Sequence, residues 1–77
     1  MQISTKTISE KAIEHDNESF EWFKYWQEHG EHENDVYYRT WQDHRAKSDA
    51  MVELLNIAEP FYTHYVFNGK IMKELIP

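Results

Sequence analysis

The sequence predicts an all-α fold, an antiparallel helical hairpin at about 8–29 and 35–58 covered by a short C-terminal helical segment at about 60–76. Three observations predict it. The 77 residues include only two glycines and two prolines, so nothing interrupts a helix between Ile8 and Gly30 or between Asp35 and Ala58. Apolar residues recur at helical spacing through both stretches. Both stretches also carry a seam of the same spacing: Ile8, Ala12, His15, Ser19, Trp22 and Trp26 in the first, Tyr37, Trp41, His44, Ser48, Met51 and Leu55 in the second. Steps of four and three hold one helix against an antiparallel neighbour.

In the first helix, Thr7 and Glu10 fit a capping box with Thr7 as N-cap, and Gly30 suits the C′ position. Projected at about 100° per residue, Ile8, Ala12, Ile13, Phe20, Trp22, Phe23 and Trp26 occupy one broad side. Glu10, Glu14, Glu18, Glu21 and Glu28 fall within an arc of about 80° on the other, with Tyr25 beside them.

A loop of about five to seven residues turns the chain back. Asn34 or Asp35 can cap the second helix, which Glu59-Pro60 stops. The implied layers are Trp26 with Tyr37, Trp22 with Trp41, Ser19 with His44, His15 with Ser48, Ala12 with Met51, and Ile8 with Leu55. Each seam histidine thus meets a hydroxyl, which satisfies a buried polar group.

Pro60 fits the first position of a third helix. Phe61, Tyr62, Tyr65 and Val66 then recur at helical spacing, and Asn68-Gly69 fits a helix end. The competing reading makes Asn68-Gly69 a type I′ turn between two strands. Helix is favoured because each strand is short and an isolated hairpin is marginal. Residues 1–77 form a single small domain, and a chain of this size buries only about 60–65% of its unfolded surface.

Charge is concentrated. Residues 10–35 hold nine acids against Lys11 and Lys24, whereas the whole chain is net −6. Direct nucleic-acid binding is disfavoured, because it rests on Lys and Arg neutralising phosphates. With no cysteine there is no disulfide framework and no thiolate chemistry. Neither a signal peptide nor a membrane span is expected. The expected location is the cytoplasm, the host cytoplasm if the chain is viral.

An enzyme is not expected, since no glycine elbow, oxyanion loop or phosphate-cradling loop accompanies the serines, and no cofactor is expected. No metal is expected either. His29 and His32 are weak candidates for one, which makes a His-rich metal-binding regulator a distant third function, their spacing on a fraying helix end giving little preorganisation.

The candidate partner-binding residues are Glu10, Glu14, Glu18, Glu21, Tyr25 and Glu28. Like charges four apart destabilise a helix by about 0.2–0.5 kcal/mol a pair, so stability alone favours lysine at some of these positions. The stripe runs about 27 Å, with steps comparable to phosphate spacing. The expected function is therefore a non-enzymatic interaction module, an inhibitor or modulator that occupies the basic, nucleic-acid-binding surface of a larger protein. By composition alone, short acidic cysteine-free chains resemble phage-encoded modulators of host enzymes. The alternative is an assembly or homo-oligomerisation module that uses exposed members of its twelve aromatic residues, such as Phe20, Tyr38, Phe61 or Phe67.

Overall fold

In the computed structural model, which describes residues 4–33 and 35–77, helix α1 spans Thr5–Glu28 and α2 spans Val36–Ala58. The helical hairpin is therefore present. Its first helix starts one turn earlier than the capping box indicated. Ser4, not Thr7, is the N-cap: its hydroxyl accepts from the Thr7 N–H at 3.2 Å, and its carbonyl takes the Ile8 N–H at 3.1 Å. Both residues suit a cap, and nothing between them breaks the helix, so the outer one wins.

At the other end Gly30 does sit at C′, with φ +92°. Its N–H reaches the Gln27 carbonyl and the Glu31 N–H reaches that of Trp26, the paired bonds of a Schellman motif. The Trp26 indole N–H donates to the His32 carbonyl at 2.9 Å, tying the loop back onto α1. Asp35 caps α2 by accepting from the Tyr37 N–H, while Asn34, the other capping residue considered, lies outside the described residues.

The most deeply buried part of the helix seam is lined by small side chains. Ala12 is wholly buried, and the Ser48 hydroxyl donates to its carbonyl across the seam at 2.9 Å. Arg45 bonds Asp16 at 2.6 Å in the adjoining layer. Several layers differ by about one turn from the expected register. His15 faces His44 rather than Ser48, Ala12 faces Ser48, and Trp22 packs on Tyr37 at 5.9 Å between ring centroids. Trp41 packs instead on Phe23 and Trp26, at 5.1 and 6.0 Å, so the expected Trp22–Trp41 layer is replaced. Apolar periodicity alone says nothing of a hydroxyl seeking a carbonyl or a guanidinium seeking a carboxylate.

The C-terminal segment overturns the expected third helix at about 60–76. Strands β1 (Tyr62–Phe67) and β2 (Lys70–Leu75) pair antiparallel, from Tyr62 opposite Leu75 to Phe67 opposite Lys70. The fold is mostly helical but not purely α. Asn68 (φ 51°) and Gly69 (φ 72°) both take left-handed conformations, as a type I′ turn demands. Pro60 follows the α2 cap in a turn closed by the Tyr62 N–H on the Glu59 carbonyl at 3.0 Å. Within β1, Tyr62, His64 and Val66 point inward while Thr63, Tyr65 and Phe67 are exposed, a period of two that the helical reading overlooks. The marginality of a lone hairpin does not apply, because this one docks on α2.

The core is small. Ile8, Ala12 and Leu55 are the buried apolar residues among those described, whereas Phe61 and Ile57 are each 74% exposed and Phe20 is 60% exposed. The radius of gyration of 14.2 Å exceeds the roughly 11–12 Å of a compact chain this long. A plate of 42 × 30 × 17 Å leaves broad faces open. Among the described residues no helix is long and apolar enough to cross a membrane.

Candidate functional site

The acidic stripe follows from the amphipathic period of α1. Glu10, Glu14, Glu21, Tyr25 and Glu28 are all exposed. Glu14 pairs with Lys11 at 3.2 Å, but both side chains are more than half exposed, and such pairs contribute little. Glu10, Glu21 and Glu28 form no ion pair among the described residues. Near the loop, Glu21, Lys24, Tyr25 and Glu28 line a shallow depression, and an adjoining one is walled by Trp22, Tyr25, His29 and Tyr37. Carboxylates beside ring faces suit an incoming Lys or Arg, which gains both charge pairing and cation–π attraction.

Glu18 leaves the stripe. Its Oε2 lies 3.1 Å from His44 Nε2, and His44 Nδ1 lies 3.1 Å from His15 Nδ1. His15 and Glu18 are one turn apart on α1, and the one-turn shift in register carries His44 to them from α2. Among the described residues this is the group of His, Asp and Glu whose ligand atoms converge, all within 4.8 Å of one another. Sequence reasoning places both histidines in the seam but pairs them with serines. The i, i+3 spacing of His15 and Glu18 is the signal that could have found the cluster.

His29 and His32 are not brought together in this way. His29 Nδ1 donates to the Tyr25 carbonyl at 2.7 Å and its ring stacks on Tyr37 at 4.4 Å. His32 is exposed, and its ring lies over Gly30, where an added Cβ would meet Nε2 at 3.1 Å.

A second polar cluster, unforeseen from sequence, joins the hairpin to α2. His64 is buried, and its backbone N–H and Nδ1 both reach Asn56 Oδ1, at 2.7 and 2.8 Å. Its Nε2 meets Glu59 Oε1 at 3.0 Å, and Lys73 donates to Glu59 Oε2 at 3.2 Å while lying over the Tyr62 ring. Hydrogen bonds from His64 first, and then Lys73, hold the Glu59 carboxyl below its ordinary value. Both ring nitrogens of His64 and both carboxylate oxygens of Glu59 are partnered, and the cluster reads as a clamp for the hairpin. Two surface groups are also shifted: Asp43 downward by the hydrogen bond from Lys47, and Tyr65 upward because its hydroxyl donates to the Glu74 carboxylate.

Comparison with protein-family models, curated proteins and solved structures finds no match to this chain.

Proposed function

We propose that the chain is a non-enzymatic interaction module whose α1 face occupies a basic surface on a larger protein. Glu10, Glu14, Glu21, Tyr25 and Glu28 make the contact, with Glu18 at its margin. The observation that carries this reading is the exposure of these carboxylates together with the paucity of cations beside them. A predominantly acidic face about 27 Å long steers association with a surface of opposite sign. The Tyr25 depressions give its loop end places to seat individual Lys or Arg side chains. Where the basic surface is a nucleic-acid channel, the effect is competitive inhibition, the mode expected of a phage-encoded modulator of a host enzyme.

The test is capture from source-cell lysate at low and high salt, comparing the wild type with Glu10, Glu14, Glu21 and Glu28 all changed to Gln. A nucleic-acid-binding partner held only by the wild type, released by salt and displaced by added duplex DNA, supports the reading. A partner held equally by both proteins removes the stripe from the interface.

A second reading is favoured by one observation. Tyr65, Phe67 and Met72 stand exposed together on the outer face of the hairpin, and in a two-stranded sheet each strand keeps one edge without a strand partner. Such a face and edge suit assembly by strand addition. Sedimentation equilibrium of the wild type against Phe67→Lys tests it, and a strictly monomeric wild type argues against self-assembly.

A further inference from the structure

We propose that His15, Glu18 and His44 form a binding site for a divalent transition-metal cation, with Zn²⁺ the best match. This inference is independent of the acidic-face reading, because Glu18 is the stripe residue that is only partly exposed and reaches across to His44 on α2. Two imidazoles and one carboxylate are the donor set that suits zinc and its first-row neighbours rather than calcium or magnesium, which prefer oxygen alone.

The distances fit. Two nitrogens held at about 2.0–2.1 Å from one tetrahedral ion lie about 3.3 Å apart, and the ring centroids about 5.2 Å apart. The His15 and His44 Nδ1 atoms are 3.1 Å apart, and their ring centroids 5.3 Å. One ligand atom from each of the three residues falls within 4.8 Å of the others. To ligate the ion, Glu18 would give up its bond to His44 Nε2–H, leaving that N–H to water, and rotate its carboxylate toward the two Nδ1 atoms. The His44 side chain is 16% exposed and that of Glu18 38%, which leaves an entry path and a fourth position for water.

The hydrogen bonding prepares the site. Glu18 accepts from His44 Nε2–H, which leaves the lone pair of His44 on Nδ1, aimed at His15. Without a cation, His15 Nδ1–H donates to that lone pair. With one, His15 takes the Nε2–H tautomer and both Nδ1 lone pairs face the ion. The backbone is already set: His15 and Glu18 are fixed by one helix, and His44 by the Ser48–Ala12 and Arg45–Asp16 contacts that lock α2 against α1 beside it. A bound ion would therefore join α1 to α2, and its affinity would add to the stability of the hairpin.

The experiment is calorimetric titration of metal-free protein with ZnCl₂, and with CoCl₂ read by visible absorption, for the wild type, His15→Asn, Glu18→Gln, His44→Asn and the double variant His29→Asn/His32→Asn. The expected result is one equivalent bound per chain and a rise in melting temperature with added zinc. Affinity should fall at least about tenfold in each of the three cluster variants and stay unchanged in the loop double variant. Should His44→Asn fail to fold, ring ¹⁵N shifts of the wild type decide: zinc should move Nδ1 of His15 and His44 and leave His29, His32 and His64 in place. No heat and no melting shift in the wild type overturns the site. So does zinc binding that survives His44→Asn, or that is abolished by the loop double variant.

Discussion

Arg45 reaches across the helical hairpin to Asp16 and bonds it at 2.6 Å, joining a carboxylate whose side chain is 5% exposed to a guanidinium that is 43% exposed. The pair is asymmetric, and the asymmetry decides which partner can be lost. Asp16 belongs to the acidic third of the sequence, yet it lies on the buried side of α1 one turn from Ala12.

Arg45→Met should therefore cost about 2–3 kcal/mol, because it leaves a buried carboxylate without its cation. Asp16→Asn should cost no more than about 1 kcal/mol, since a half-exposed Arg45 stays solvated and keeps Asp49 at 3.6 Å. Urea unfolding of the two variants checks the order. Equal costs would mean that the carboxylate is not buried as described.

The close approach at Ala12 and Ser48 makes a second contrast. Ala12→Leu should destabilise by about 1–3 kcal/mol, because the extra carbons must push the helices apart. Ser48→Ala should cost about 1 kcal/mol, the worth of one hydrogen bond to the Ala12 carbonyl. For a chain of this length each kcal/mol corresponds to about 4–8 °C in melting temperature, which thermal scans resolve.

Gly69 tests the hairpin. At φ +72° an added Cβ meets nothing within 4 Å, so the penalty of Gly69→Ala is conformational and not steric. It should be about 1 kcal/mol, with amide exchange accelerated in β1 and β2 before the helices. A neutral Gly69→Ala would show that the segment does not depend on the type I′ turn.

Acid should loosen the clamp between hairpin and α2. Glu59 is held below its unfolded value of 4.5 by hydrogen bonds from His64 and Lys73. Its contribution to stability is thus fully present above that value and is lost as pH falls through the lower folded value. Glu59→Gln should be less stable than the wild type at neutral pH, and the gap should close as pH falls from about 5 to 3. Chemical denaturation across that range provides the check, and a gap independent of pH would remove Glu59 from the clamp.

Much of the architecture is legible in the amino-acid sequence. The two helices, the Gly30 end and the exposed glutamate stripe all follow from local period and cap chemistry, which depend on residues within a turn or two of one another. The third element is ambiguous because Phe61, Tyr62, Tyr65 and Val66 satisfy a helical period while Tyr62, His64 and Val66 satisfy a strand period in the same residues. The deciding fact, that His64 finds Asn56 and Glu59 at the end of α2, is a tertiary one. The His15–Glu18–His44 cluster escapes sequence reasoning for the same reason, since a shift of one helical turn exchanges a histidine–serine layer for a histidine–histidine contact.

By itself, then, the sequence determined which stretches are helical, where they turn, and which face of α1 carries the charge, because backbone sterics and side-chain period act over a few residues. Only the tertiary structure decided the axial register of the two helices, the strand identity of residues 62–75, and the convergence of two imidazoles with a carboxylate. The register and the convergence depend on hydrogen bonds and ion pairs between residues about 30 positions apart, such as Ser48 with Ala12 and Arg45 with Asp16. Such contacts contribute about 1–3 kcal/mol each, and apolar periodicity carries no information about them.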